Sequence, residues 1–155
     1  MKILFVCLGN ICRSPIADGV MRRLVTEHAL DWDVDSAGTG GWHVGSPPDA
    51  RAVRVAKQYG TDISALRARQ FGRSDFGRFD KIFALDLQNL TDILELANTQ
   101  EERDKVELFL EAAFPQKREG VRDPWHEDSL FEPVYHEIHE ACAVILERLV
   151  NDGSR

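Results

Sequence analysis

Strand-like runs alternate with helix-like patterns along this chain, and that alternation constrains its fold more than any other feature. Runs rich in β-branched and aromatic residues predict four strands, near Lys2–Val6, Trp32–Ser36, Phe79–Leu85 and Val106–Leu110. The intervening segments are long enough for helical crossovers, which favours parallel pairing. We therefore expect an α/β fold, a doubly wound four-stranded parallel sheet in the order 2-1-3-4 with helices on both faces.

Apolar residues three and four positions apart predict the helices that cover this sheet. One begins at Ser14-Pro15, a second spans Pro48–Tyr59, and the last spans about Pro133–Val150. The buried stripe predicted for the last helix consists of Ile138, Ala141, Cys142, Ile145, Leu146 and Leu149. Residues 111–132 contain two prolines, a glycine and many charges, so they are predicted to form a long loop.

A further helix is predicted after the third strand, with Asp86 as its N-cap. Its buried face is expected to consist of Leu87, Leu90, Leu94 and Ala97.

Length, charge and cysteine count limit what the protein can do. A chain of 155 residues is expected to form a single domain, residues 1–155. The formal net charge of -7 opposes general affinity for nucleic acid or an anionic membrane. No run approaches the ~20 apolar residues of a membrane span, and the N-terminus is not predicted to be a signal peptide. Three cysteines do not make a disulfide framework, which predicts a protein of the reducing cytoplasm.

The loop after the first strand is the strongest functional candidate. This Cys7 loop reads Cys7-Leu8-Gly9-Asn10-Ile11-Cys12-Arg13-Ser14. Gly9 and Asn10 most readily adopt positive φ, which lets successive main-chain amides face one centre. Such a cradle, with a helix N-terminus behind it, binds a tetrahedral oxyanion, and Arg13 adds a planar fork for two of the oxygens.

Cys7 is predicted to be the nucleophile of this loop. The positive field of the amides stabilises a thiolate, so we expect Cys7 to be ionised at neutral pH, with Ser14 donating to the sulfur. A strand-end cysteine beside a surface arginine explains Cys7 and Arg13 alone, but not the strand, turn and helix start around them. A Walker loop needs Lys followed by Ser or Thr, and a dinucleotide fingerprint needs more glycines, and neither is present.

Asp123 is the candidate acid for the oxygen that leaves when a phosphoryl group is transferred to Cys7. Pro124 favours an extended backbone at Asp123, which fixes the direction of the side chain. A bound phosphate, together with Glu127 and Asp128, disfavours the ionised form of Asp123. An ordinary Asp-Pro turn explains the same residues, so the spacing alone leaves both interpretations open.

The Cys7 loop, with Val6 before it and Pro15 after it, resembles the phosphate loop of the low-molecular-weight protein tyrosine phosphatase family. Further landmarks run in order along nearly the whole chain, at residues 35–39, 45–49, 68–70, 86–90 and 123–125. The resemblance implies hydrolysis of phosphotyrosine and other aryl phosphates through a phosphocysteine. It implies Cys7 as nucleophile, Arg13 as phosphate clamp and Asp123 as acid and then base, without metal or cofactor. The implied partners are phosphotyrosine-containing proteins, with inorganic phosphate or similar oxyanions as inhibitors.

The resemblance also assigns residues around the loop. Asn10 and Ser14, with Ser36, are implied to hold the loop by hydrogen bonds. Asp86 and Asn89 either brace the site or only cap a helix.

Aromatic residues are expected at the rim. Trp42 and Trp125 stand where the family has rim aromatics, and His126 stands where relatives often carry a second aromatic. Related phosphatases that act on phosphoarginine are expected to carry Thr at the position of Ile11, so Ile11 favours phosphotyrosine as the substrate.

The cysteine content also bears on the two remaining cysteines and on alternative functions. Cys12 either packs beside the clamp or forms a reversible disulfide with Cys7 on oxidation, whereas Cys142 is predicted to be inert core. A thioredoxin-coupled arsenate reductase needs two further cysteines around residues 80–95, and that stretch contains none. A binding module that holds phosphotyrosine without hydrolysis is disfavoured because Cys7, Arg13 and Asp123 are all present.

Overall fold

The strands of the sheet span Lys2–Cys7 (β1), Asp33–Gly38 (β2), Lys81–Ala84 (β3) and Val106–Leu108 (β4) in a computed structural model that describes residues 1–153. All of them pair in parallel, in the order β2-β1-β3-β4. The predicted fold class and strand order are confirmed. The last two residues of the predicted domain, 154 and 155, lie outside the described part of the chain.

Helices follow each strand. Their bounds are Arg13–Glu27 (α1), Ala50–Gln58 (α2), Asp75–Arg78 (α3), Leu87–Leu96 (α4), Gln100–Asp104 (α5), Phe109–Ala113 (α6) and Phe131–Gly153 (α7). A single 3₁₀ turn, Asp128–Leu130, leads into α7. No helix within residues 1–153 is long and apolar enough to cross a membrane.

β1 is buried on both faces, which explains its continuous apolar run. Ile3 and Phe5 pack into one core cluster with α1, α2, α6 and α7. Leu4 and Val6 pack into a second cluster with residues of α3 and α4. Because side chains alternate across a strand, helices cover both faces of the sheet as predicted. The order changes direction between β1 and β3, and sheets of this kind bind ligands at the carboxyl edge beside that point.

The fourth strand is shorter than predicted. It ends at Leu108 instead of Leu110, because the chain turns into α6 and buries Phe109, Leu110 and Ala113. The predicted loop 111–132 therefore begins inside α6, and its last two residues belong to α7. A short apolar run does not distinguish a strand from a helical turn, which is why this boundary was wrong.

The apolar face predicted for α4 is wrong in part. Asp86 caps the helix as predicted, since its Oδ1 accepts from the Asn89 N–H at 2.7 Å. The stripe that faces the core runs through Asn89, Ile93 and Ala97, while Leu87 is 53% exposed. The cap sets the orientation of the first turn, and a polar residue therefore points inward where the spacing of leucines suggested otherwise.

The buried stripe of α7 is confirmed except at its end. Ile138, Ala141, Cys142, Ile145 and Leu146 are buried, whereas Leu149 is half-buried. Burial raises the pKa of the Cys142 thiol, so this cysteine stays protonated inside the core.

Candidate active site

The Cys7 loop reverses the chain between the end of β1 and the start of α1. Asn10 has a φ of 56°, as predicted, because this short amide side chain tolerates the left-handed region. Gly9 was also expected at positive φ, and that expectation is wrong, since within residues 1–153 the positive-φ glycines are Gly45 and Gly60. Gly9 is instead confined by a neighbour, because a Cβ there would lie 3.1 Å from Cδ2 of His43.

A buried network of side chains supports the loop from below. Nδ2 of Asn10 donates to Oγ of Ser14 at 2.7 Å and to Oγ of Ser36 at 3.0 Å. Oδ1 of Asn10 accepts from the Arg69 N–H at 3.0 Å. Asn10, Ser14 and Ser36 are therefore together, and each hydrogen bond fixes the left-handed turn of the loop.

Ser14 places a hydroxyl against the cysteine sulfur. Helix α1 begins at Arg13, one residue before the predicted start at Ser14-Pro15, so Ser14 lies in its first turn. Its Oγ accepts from Asn10 and lies 2.9 Å from Cys7 Sγ, where either group can donate, while the Ala37 carbonyl is a farther acceptor at 3.4 Å. A thiolate can only accept, so the hydroxyl donates to Cys7 whenever the sulfur is ionised.

Arg13 is 4% exposed and is held in a fixed orientation. Its Nη1 donates to Oδ2 of Asp86 at 2.7 Å and to the Val121 carbonyl at 3.0 Å. Within residues 1–153 no protein acceptor bonds its Nε or Nη2, which leaves them for an anion. Burial opposes the charge, but Cys7 and then Asp86 raise the pKa of Arg13 above its usual value. Asp86 thus both caps α4 and orients the arginine.

Gly38 at the end of β2 lies directly against the Cys7 loop. A Cβ on Gly38 would lie 2.7 Å from the Leu8 carbonyl oxygen and 3.1 Å from the Asn10 nitrogen. The next two residues bond the loop, since the Thr39 N–H donates to the Cys7 carbonyl and the Gly40 N–H to the Leu8 carbonyl, both at 2.9 Å. Gly38 was not predicted as a site residue, although its place in the quoted 35–39 segment was a signal for it.

A cleft of about 200 Å³ opens above the Cys7 loop. The residues that line it are Cys7, Leu8, Gly9, Ile11, Cys12, Arg13, Trp42, His43, Asp123, Trp125 and His126. All three predicted rim residues therefore line one cleft with the Cys7 loop and Asp123. His43 was missed, because a lone histidine in a glycine-rich loop carries no pattern.

Asp123 and Cys12 differ in their surroundings. Asp123 is exposed at the cleft, and its Oδ1 accepts from the Trp125 N–H at 3.1 Å, which orients the carboxyl group. Cys12 is buried, and burial followed by the Asp49 carboxylate raises the pKa of its thiol. Cys12 is therefore protonated at neutral pH. Within residues 1–153 no group of three or more His, Cys, Asp or Glu side chains could hold a metal ion.

In this doubly wound sheet, Cys7 lies at the carboxyl end of an inner strand, is hydrogen-bonded to Ser14 and lies beside the buried Arg13. This arrangement defines a cysteine-dependent phosphatase of the α/β class. The family model described as low molecular weight phosphotyrosine protein phosphatase matches residues 2–155. The chain belongs to this family, as its sequence motifs suggested, and it is a phosphatase.

Relatives cover the chain almost completely. A curated low molecular weight phosphotyrosine protein phosphatase of Pongo abelii is 44% identical, over 95% of this chain and 94% of the relative. A crystal structure of a protein tyrosine phosphatase from Entamoeba histolytica superposes with a TM-score of 0.91 at 34% identity, covering 100% of this chain and 99% of the other. A Drosophila arginine phosphatase superposes with a TM-score of 0.88 at 36% identity, covering 96% and 98%.

Proposed function

We propose that this protein hydrolyses phosphotyrosine in proteins, and aryl phosphates in general, through a phosphocysteine on Cys7. The observation that supports this most is the 2.9 Å hydrogen bond between Ser14 Oγ and Cys7 Sγ, at the base of a cleft that Cys7, Arg13 and Asp123 line together. Relatives named phosphotyrosine protein phosphatases support the same substrate class.

In the first step the Cys7 thiolate attacks phosphorus in line with the tyrosyl oxygen. The S–P bond forms as the P–O bond breaks, and Asp123 donates its proton to the leaving oxygen, so that neutral tyrosine departs. Arg13 and the main-chain amides of the Cys7 loop bind the three non-bridging oxygens, whose charge is greatest near the transition state.

In the second step water attacks the phosphocysteine. Asp123, now a carboxylate, accepts a proton from that water as the new O–P bond forms. The S–P bond breaks, and the hydroxyl of Ser14 stabilises the departing thiolate. Inorganic phosphate leaves with Asp123 protonated again, and neither step uses a metal or a cofactor.

The rim supports selection of an aromatic substrate. Trp42 and Trp125 are 74% and 40% exposed beside the cleft, so a phenyl ring entering it gains contact with both. Serine or threonine phosphate has no ring to make that contact. His126 adds a polar edge to the rim, and Ile11 contributes an apolar wall.

A second candidate substrate is phosphoarginine, because one relative at 36% identity is an arginine phosphatase. This chain has Ile11 at the position where arginine phosphatases of this kind are expected to carry Thr, which favours phosphotyrosine as its substrate. We expect higher kcat/KM on a phosphotyrosine peptide than on phosphoarginine, and an Ile11→Thr substitution should narrow the gap. Higher kcat/KM on phosphoarginine would overturn the assignment of substrate.

The proposed mechanism is tested by turnover of p-nitrophenyl phosphate and a phosphotyrosine peptide in EDTA. Cys7→Ser should abolish turnover, and Asp123→Asn should lower kcat on the peptide by about 10²–10⁴-fold with little change in KM. Phosphate binding by an intact wild-type protein without turnover would leave only a binding module.

The proposed chemistry requires a free thiol at Cys7, which bears on the cell compartment. Cys7 must remain a reduced thiol to act, and Cys7, Cys12 and Cys142 are all free, so we propose that the protein works in the cytoplasm. We also propose that residues 1–155 act as one domain. Its substrates are proposed to be proteins and not nucleic acid, because the net charge of -7 repels nucleic acid.

A further inference from the structure

Arg51 in the first turn of α2 connects two parts of the active site that lie far apart in the sequence. Its guanidinium binds Asp49 through two nitrogens, from Nε to Oδ1 and from Nη2 to Oδ2, both at 3.0 Å. Its Nη1 donates to Oδ1 of Asp128 at 2.5 Å. The guanidinium carbon also lies 5.4 Å from the ring centre of Trp125 and 4.6 Å from that of Phe131.

Asp49 attaches this arginine to the Cys7 loop. The Asp49 N–H donates to the Ile11 carbonyl at 2.8 Å, and the Asp49 carboxylate accepts from the Arg51 N–H at 2.8 Å as the N-cap of α2. Two parallel hydrogen bonds fix the plane of a guanidinium. The side of Arg51 that faces Asp49 is therefore held in register with the loop that carries the nucleophile.

The other side of Arg51 holds residues 121–130, here named the acid loop because it carries Asp123. The start of this loop is secured, since Arg13 and Leu85 both bond the main chain of Val121. Beyond it, residues 122–129 are exposed apart from Pro124. Arg51 is the side chain from outside the loop that hydrogen-bonds to this segment within residues 1–153, and the Phe131 N–H at the start of α7 bonds its main chain at Asp128. Arg51 contacts both Trp125 and Asp128, on the far side of Asp123 from the secured end.

We propose that Arg51 is a positioning residue that aims Asp123 at the leaving oxygen of the substrate. The inference rests on the proposed role of Asp123 as general acid. Arg51 is not among the residues that line the cleft, so it acts through the acid loop. Asp128 is exposed, so its pair with Arg51 adds little to stability, and loss of this pair should appear in the rate. Loss of the pair with Asp49 should lower the melting temperature as well, because Arg51 lowers the pKa of that carboxyl.

Substrates with different leaving groups separate this role from a general structural one. The leaving oxygen of phenyl phosphate and of phosphotyrosine needs a proton, whereas 2,4-dinitrophenyl phosphate releases a stable dinitrophenolate that needs none. Arg51→Ala should lower kcat/KM, which reports only formation of the phosphocysteine, about tenfold on the first two, a fraction of the full general-acid contribution. It should leave kcat/KM on the third nearly unchanged. KM and inhibition by inorganic phosphate should stay close to wild type, because the Cys7 loop is intact.

Two further variants sharpen the comparison. Arg51→Lys keeps the charge but loses the planar fork and should recover only part of the rate. Arg54→Ala is the matched control and should behave as wild type, because Arg54 is an exposed arginine one turn along α2 that makes no hydrogen bond or ion pair within residues 1–153.

The deciding measurement is a double-mutant cycle with Asp123→Asn on phenyl phosphate. If Arg51 acts through Asp123, adding Arg51→Ala to Asp123→Asn should cause no further loss of kcat/KM. An additive tenfold loss in the double variant, or an equal loss of kcat/KM on all three substrates, would overturn the inference. If the loss of rate caused by Asp123→Asn does not depend on the leaving group, the proposed general acid is wrong. If only the loss caused by Arg51→Ala is independent of the leaving group, the positioning role alone is wrong.

Discussion

Gly38→Ala is the substitution whose effect on the active site can be worked out most directly from the structure. The φ of Gly38 lies outside the left-handed region, so alanine fits the backbone and the problem is steric. The new Cβ would lie 2.7 Å from the Leu8 carbonyl oxygen, where ordinary contact begins at 3.4 Å, so this oxygen must retreat by about 0.7 Å. Leu8 cannot move alone, because the Gly40 N–H holds the same oxygen at 2.9 Å.

A displacement of this size should be felt in catalysis. Misplacement of a reacting group by ~1 Å costs about 10²-fold, so we expect kcat/KM to fall by about 10- to 100-fold, or roughly 1.4–2.7 kcal/mol of transition-state stabilisation. Overpacking costs about 1–3 kcal/mol of folding stability, and each kcal/mol lowers Tm by about 2–4 °C in a protein of this size.

The assay is kcat/KM on a phosphotyrosine peptide, with the inhibition constant of inorganic phosphate and thermal unfolding measured in parallel. Gly72→Ala is the control, since a Cβ there would have no atom within 4 Å, and it should leave all three values unchanged. A Gly38→Ala protein that folds and keeps wild-type activity and phosphate affinity would refute the claim that close packing on β2 shapes the Cys7 loop.

Three other predictions concern the surroundings of this loop. Asn10→Ala removes the donor to Ser14 and Ser36 and should cost about 2 kcal/mol or more of stability in urea unfolding together with a lower kcat; unchanged stability would contradict the network. Hydrogen bonding from Arg51 lowers the pKa of Asp49, so this carboxylate stabilises the fold above its unfolded pKa and the contribution disappears as the pH falls through the lower folded value. Asp49→Asn, which keeps the cap, should therefore lower Tm at neutral pH and make little difference near pH ~2; a Tm difference that persists in acid would count against this. Peroxide should convert Cys7 to a sulfenic acid that condenses with Cys12 with loss of water, so wild type should recover activity with dithiothreitol while Cys12→Ser recovers less; equal recovery would assign Cys12 to packing alone.

The fold was predictable from the sequence where residue patterns repeat over many positions. The apolar strands and the spacing in α1 and α7 led to the correct strand count and the correct layers of helices on both faces, and the predicted strand order was also correct. The errors lie where local contacts decide the outcome. The Asp86 cap turned Asn89 inward in α4, and burial of Phe109 and Leu110 converted the end of a predicted strand into α6.

The site was predictable where one contiguous segment carries the chemistry. Cys7, Arg13 and the left-handed turn at Asn10 all lie in a single loop, and family motifs added Asp123, Trp42, Trp125 and His126. Gly38, His43 and Arg51 were missed because what places each of them beside the candidate site is a contact between segments distant in sequence. Spacing along the chain carries no information about such contacts.

The most direct test of the account is to identify the covalent intermediate. A burst of aryl phosphate hydrolysis is quenched in acid within a few turnovers, and the peptide Ile3–Arg13 is fragmented in a mass spectrometer. We predict one phosphoryl group on the sulfur of Cys7, with none on Cys12. Steady turnover with an unmodified Cys7, or with the phosphoryl group on another residue, would contradict nucleophilic attack by this thiolate.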